Sequence, residues 1–136
     1  YSPNQYTFAG IGAMKFMAIG NDSEAYTAGY LFAESSIEVV WIRGFYSISS
    51  NTFAGTKALK EVFIGAGHGT ELSANSFANL ETDVNFYFYT YTYEELVEEV
   101  GDDEWFTNAD EKAHFYFKDT IPADVVWPDE IKDSLK

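Results

Sequence analysis

The chain has 136 residues, 46% of them hydrophobic and 18% aromatic, so it can bury one core and is too apolar to be a disordered segment. Its 22 acidic and 8 basic residues give a net charge of −14, which argues against nucleic-acid phosphates and anionic membranes as partners. It has no cysteine, which excludes disulfides and thiolate chemistry, and no apolar run of about 18 residues for a membrane span. We therefore expect no nucleic-acid binding, no membrane insertion and no cofactor.

A short phrase, Phe-Ala followed by Gly, Glu or Asn, occurs four times, at residues 8–10, 32–34, 53–55 and 77–79. The phenylalanines are 24, 21 and 24 residues apart. A period in the twenties is typical of repeat proteins whose units bury their apolar faces against one another. The spacing therefore predicts a solenoid in which Phe8, Phe32, Phe53 and Phe77 form one shared buried file.

Each repeat contains a predicted strand. In the third copy, three apolar slots are filled by Leu59, Val62 and Ile64. The last two are separated by one residue, which is the period-two alternation of a half-buried strand. The same slots hold Met14, Met17 and Ile19 in the first copy, Ile37, Val40 and Ile42 in the second, and Val84, Phe86 and Phe88 in the fourth. In the fourth copy we prefer Val84 to Asp83 for the first slot, because burying an unpaired carboxylate is costly. A short helical turn is predicted over 72–78, on the outer side of the repeat.

The pattern changes after the fourth strand. Apolar residues with helical spacing predict a terminal helix over about 92–101, with Thr92 as its N-cap and Gly101 at its end. A last strand is predicted over about 112–118, pairing beside the fourth one. The tail, 119–136, is expected to cover the open end. We predict a single domain over 1–136, with repeats over about 3–90.

The repeat pattern resembles the BspA-like leucine-rich repeats of bacterial surface proteins. The resemblance is carried by Phe53-Ala54-Gly55, by Leu59, Val62 and Ile64 after it, and by Ile48 before it. It implies an α/β repeat fold, namely a right-handed leucine-rich-repeat solenoid with short parallel strands, short outer helical turns and a C-terminal cap. It also implies a non-enzymatic adhesion or protein-binding role in an exported bacterial protein that is extracellular or attached to the cell surface.

Strand alternation points the residues between the apolar slots outward, onto the concave face. One file of these positions holds Ala18, Trp41, Phe63, Tyr87 and Tyr116. The candidate binding residues on this face are Phe16, Val39, Trp41, Glu61, Phe63, Asn85, Tyr87, His114 and Tyr116. An exposed aromatic strip indicates a docking surface for a protein or glycan ligand. Two other interpretations stay open: the strip stiffens the sheet, or the chain's own tail folds over it.

Residues suited to catalysis or metal binding are scattered. His68 and His114 lie in different units, without a second ligand at metal spacing. The 101–104 loop offers oxygen donors for calcium but lacks EF-hand spacing. The glutamates of the predicted helix form a solvated face and are not buried as a catalytic pair would be. We therefore predict no catalytic residue and no metal ligand. The alternatives are a polysaccharide-binding or polysaccharide-hydrolysing domain, although Glu61 is the one carboxylate on the predicted face, and a structural spacer from a longer repeat array.

Overall fold

The computed structural model describes residues 16–19, 31–33, 35–43, 47–65 and 71–134. The elements there are short strands and three short helices. In chain order they are β1 (Phe16–Ile19), β2 (Val39–Ile42), β3 (Ser47–Ile48), β4 (Glu61–Ile64), β5 (Glu71–Leu72), β6 (Val84–Phe88), α1 (Tyr93–Val100), α2 (Glu104–Thr107), β7 (Ala113–Phe117) and α3 (Asp129–Ser134).

The strands form a mixed α/β fold around a parallel sheet. Its five strands lie in the order β1-β2-β4-β6-β7, and β3 pairs with β5 in a second, two-stranded parallel sheet. Each long strand thus pairs with the next long strand along the chain. The predicted pairing of the last strand beside the fourth is confirmed, with Phe86 opposite Phe115 and Phe88 opposite Phe117.

The predicted phenylalanine file is present in the three copies that the structure describes. The ring centroids of Phe32 and Phe53 are 6.0 Å apart at an interplanar angle of 12°, and those of Phe53 and Phe77 are 6.1 Å apart at 6°. All three side chains are fully buried. Phe8 lies outside the described residues. Trp105 takes the next position, 6.5 Å from Phe77, so α2 closes this end of the core.

The third residue of the phrase has a conformational role. Gly55 has a φ of 76° and Asn79, at the equivalent position, a φ of 60°. Glycine has no Cβ to clash in this left-handed region, and asparagine tolerates it better than most residues do. The choice between Gly and Asn after Phe-Ala therefore follows from the turn that each repeat makes there.

The outer side of the repeat differs from the expectation. The helical turn predicted over 72–78 is wrong, because Leu72 belongs to β5 and the residues after it form hydrogen-bonded turns. The Ser76 hydroxyl donates to the Ile48 carbonyl at 2.6 Å, which ties one repeat to the preceding one. A segment this short gains more from such a contact than from one isolated helical turn, whose nucleation is unfavourable.

The fourth repeat follows the predicted insertion. Val84 is fully buried, whereas Asp83 is exposed and lies 3.1 Å from the imidazole Nε2 of His114. The carboxylate therefore stays in solvent, as its desolvation cost requires.

The terminal helix is confirmed together with both of its caps. The Thr92 hydroxyl accepts from the Glu95 N–H at 3.1 Å, and the Glu95 carboxylate accepts from the Thr92 N–H at 2.9 Å. This reciprocal pair is a capping box. Gly101, with a φ of 98°, ends the helix and donates its N–H to the Val97 carbonyl. On its inner side, the helix buries Leu96 in the core.

The tail does not cover the end of the core, so that expectation is wrong. The first residues of the tail touch the outer edge of β7, where the Thr120 hydroxyl accepts from the Phe117 N–H at 2.8 Å. Further along, Ile121, Val125, Trp127 and Ile131 pack on the face of the sheet. The end of the core is occupied by the fully buried Trp105. The single-domain organisation and the 3–90 extent of the repeats stay predictions.

Candidate functional site

The register of the sheet brings the candidate binding residues together in two columns. The first column runs along Phe16, Val39, Glu61, Asn85 and His114. The second, which we call the aromatic column, runs along Ala18, Trp41, Phe63, Tyr87 and Tyr116. Since side chains alternate across a strand, the members of both columns on β2, β4, β6 and β7 lie on the same face. The predicted alignment of these nine candidate residues is confirmed at the level of the backbone register.

Neighbouring rings in the aromatic column stack. Phe63 and Tyr87 have ring centroids 4.7 Å apart at 17°, and Tyr87 and Tyr116 are 5.3 Å apart at 20°. Near-parallel rings at these separations add about 0.5–1.5 kcal/mol per pair beyond their burial. This stacking therefore contributes to the packing of neighbouring strands.

The aromatic column is covered and not open to solvent, contrary to the expectation of an exposed strip. Trp41 is 7% exposed, Phe63 0% and Tyr87 3%. The covering residues belong to the tail: Ile131 is fully buried against these three rings, and the ring of Trp127 lies 5.2 Å from that of Phe63. The half-buried members of this second core are Val39, Tyr89, Tyr116, Ile121, Val125 and Trp127. Of the three interpretations of the aromatic strip, the structure contains the one in which the chain's own tail folds over it.

A hydrogen bond joins the aromatic column to a residue just beyond the end of β6. The indole N–H of Trp41 donates to the Tyr89 hydroxyl at 2.9 Å, although these residues lie two strands apart. Gly65, on the intervening repeat, leaves the space in which this hydroxyl sits. Trp127 of the tail then packs edge-on against Tyr89, at 5.8 Å and 89°. Sequence reasoning did not include Tyr89 among the candidate residues because it lies just beyond β6, although it continues the alternation of Asn85 and Tyr87.

The acidic member of the site is used as a hydrogen-bond acceptor. The Tyr87 hydroxyl donates to Glu61 Oε2 at 2.9 Å. Burial of the phenol, followed by the hydrogen bond and the negative charge of Glu61, raises the pKa of Tyr87 above its ordinary value. The pair therefore links the two columns with a neutral phenol and a carboxylate.

This raised pKa predicts a loss of stability at alkaline pH. The unfolded chain ionises Tyr87 from about pH 10, while the folded chain holds the proton to higher pH. The free energy of unfolding is therefore intact below pH 10 and falls as the pH rises above it. We expect Tyr87→Phe to remove this part of the slope in denaturant unfolding measured between pH 8 and 11.5. Glu61→Gln, which keeps an acceptor and loses the charge, should remove part of it; slopes identical to that of the original chain would contradict the assignment.

Other candidate chemistry is sparse in the described part of the chain. Among the described residues, no group of three or more His, Asp or Glu side chains lies close enough to hold a metal ion. In the 101–104 loop, Asp102 instead accepts from the Glu104 N–H at 3.0 Å. His68 lies outside the described residues. No helix in the described ranges is both long and apolar enough to cross a bilayer.

Comparison of the chain with protein-family models, with curated proteins and with solved structures gave no match. The likeness to BspA-like repeats therefore stays a prediction from the residue pattern.

Proposed function

We propose that this chain is a leucine-rich-repeat solenoid of the BspA-like kind, acting as a non-catalytic binding module outside a bacterial cell. Three features support the solenoid: the repeated phrase, the parallel strands that pair in chain order, and the stacked file of Phe32, Phe53 and Phe77. The extracellular setting rests on the family resemblance alone.

The proposed docking surface is the aromatic column, and the observation that supports it is the peptide already seated there. Residues 121–131 lay Val125, Trp127 and Ile131 over the rings of Trp41 and Phe63. Clustered aromatic anchors in desolvated pockets are typical of protein interfaces. We infer that a protein partner offers a segment with the same large apolar side chains and takes the place of the tail.

The same burial favours a second candidate, a structural spacer. In that case the tail and the aromatic column form a permanent second core, and no partner replaces the tail. The two candidates predict different binding behaviour once the tail is released.

Releasing the tail tests the proposal. Ile131→Asp puts a carboxylate at a fully buried position, which costs several kcal/mol unless the segment leaves the face. We expect this full-length variant to bind a labelled synthetic peptide of residues 121–134, and the original chain to bind it at least tenfold more weakly because its own tail competes. Adding Tyr116→Ala, which removes a half-buried ring, should reduce the peptide affinity.

A matched substitution controls for nonspecific effects. Val126→Ala changes a neighbouring tail residue that is 79% exposed, and it should leave the tail in place and peptide binding as weak as in the original chain. The released variant is then screened against protein and glycan arrays. A folded Ile131→Asp chain that binds the tail peptide but no array ligand would refute the docking proposal and favour the spacer.

A further inference from the structure

A second apolar surface lies at the outer side of β7, next to the start of the tail at Thr120. It is a hollow of about 600 Å³, within the size range of small-molecule sites. Five of its six lining residues are aromatic: Tyr93, Phe106, Phe115, Tyr116, Phe117 and Thr120. Phe106 is 41% exposed, the most exposed phenylalanine in the described part of the chain. An aromatic surface left in solvent in this way is a candidate contact site.

The rings meet at steep angles and form a corner. The ring of Tyr93 lies 5.2 Å from that of Phe106 at 65°, and 5.6 Å from that of Phe117 at 79°. Phe106 also contacts Phe115, at 5.4 Å and 45°. The corner joins the start of α1, the α2 helix and the last strand, so it is held by three elements.

The corner lies in a strongly negative part of the chain. Residues 93–111 include nine acidic residues and no basic one. The Tyr93 hydroxyl donates to Asp103 Oδ2 at 3.3 Å, and burial, then the Asp103 and Glu94 carboxylates, raises the Tyr93 pKa. Lys118, which follows β7, is neutralised by Glu95 at 2.8 Å. Among the described ion pairs, none involves Asp103 or Glu94, so their charge is available to a cation.

The outer edge of β7, beside the hollow, has few backbone N–H groups left with which another strand could pair. The Val84 N–H donates to the Lys112 carbonyl, so alternation in a parallel ladder turns residues 113, 115 and 117 away from β6. The N–H of Ala113 is bound by the Asp110 carbonyl, and that of Phe117 by the Thr120 hydroxyl. Only the middle residue, Phe115, is left for strand pairing. Two copies carrying −14 each also repel one another, which argues against a second copy as the occupant.

We propose that this hollow binds a small organic cation, specifically an alkylated ammonium group whose apolar substituents rest on Phe106 and Phe115. Aromatic rings attract such cations electrostatically, and alkyl groups lower the cost of leaving water. Asp103 and Glu94 supply the complementary charge. The negative surroundings disfavour a phosphate-bearing ligand, so the cation is expected as a free solute and not as a phospholipid head group.

Titration of the full ¹⁵N-labelled chain, followed by NMR, tests this proposal. Benzyltrimethylammonium should shift amide signals of α1, α2 and β7. Choline should bind at least about threefold more tightly than 3,3-dimethylbutan-1-ol, its neutral isostere, since the two differ in charge and not in shape. Phosphocholine should bind more weakly than choline. Equal affinities for choline and its isostere, or shifts outside these elements, would overturn the proposal, as would tighter binding of phosphocholine.

Three substitutions sharpen the test. Phe106→Ala removes an exposed ring and should weaken benzyltrimethylammonium binding about fivefold, and Asp103→Asn should weaken it about threefold and reduce its salt dependence. Val126→Ala removes an exposed side chain of the tail and should change nothing. Ile131→Asp should change this affinity less than Phe106→Ala does, because the tail reaches the hollow through Tyr116, which the hollow shares with the aromatic column. Binding that survives both Phe106→Ala and Asp103→Asn would contradict the assigned site.

Discussion

Replacing Phe53 with alanine should lower the free energy of unfolding by about 3–5 kcal/mol. Phe53 is fully buried at the centre of the phenylalanine file, 6.0 Å from Phe32 and 6.1 Å from Phe77. It also meets Phe86 of the sheet edge-on at 5.3 Å. Truncation leaves a cavity that stacked neighbours on both sides cannot fill. Since a domain of this size is typically stable by about 5–15 kcal/mol, the loss is a large part of the total.

Urea denaturation followed by tryptophan fluorescence measures this loss. Phe106→Ala is the matched control, because it deletes the same side chain at a position that is 41% exposed. It should cost less than about 1 kcal/mol. Similar small losses for both variants would show that Phe53 does not lie in a packed file.

Gly65→Ala should lower the free energy of unfolding by about 3 kcal/mol, near the upper end for an overpacked site. A Cβ at this position would lie 2.3 Å from the Arg43 carbonyl oxygen and 2.7 Å from the Tyr89 hydroxyl. The first contact is with backbone of the preceding repeat, so two strands have to separate. The second displaces the hydroxyl that accepts the Trp41 indole N–H.

Gly101→Ala is the control for this prediction. Gly101 has a φ of 98°, and an added Cβ would meet nothing within 4 Å. Its substitution by alanine should lower the free energy of unfolding by about 1–2 kcal/mol, because alanine adopts a left-handed conformation less readily than glycine. A Gly65→Ala variant as stable as the original chain would mean that adjacent repeats do not approach as closely as described.

The repeat and its register could be predicted from the sequence because both are local patterns. Val62 and Ile64 alternate with Glu61 and Phe63 on one strand, and alternation determines which side chains share a face. Once one repeat is aligned on the phenylalanine phrase, the other three can be aligned too. The strand at 113–117 has no such phrase and was predicted because it closely copies residues 85–88. The ends of α1 were predictable for the same reason, since Thr92 and Gly101 act within one turn.

The position of the tail could not be predicted, because it depends on which distant surface is left unburied. Val125, Trp127 and Ile131 mark a segment that must cover something, but nothing in their spacing distinguishes the end of the core from the face of the sheet. The outcome depends on Trp105, which fills that end. This indole belongs to α2, a four-residue helix too short to be stable without tertiary packing.

The two candidate sites also differ in how far the sequence could predict them. The aromatic column repeats with the strands and was predictable as a column, whereas its burial was not. The hollow beside β7 combines Tyr93, Phe106 and Phe117 from three separate elements. No periodicity relates these residues, so only the assembled structure brings them together.

If the tail occupies the aromatic column, NMR will detect short distances between the two. We expect nuclear Overhauser effects from the Ile131 methyl groups to the rings of Trp41, Phe63 and Tyr87, all of which share one buried cluster. Ile131 signals with random-coil shifts and no contact to these rings would contradict this position of the tail.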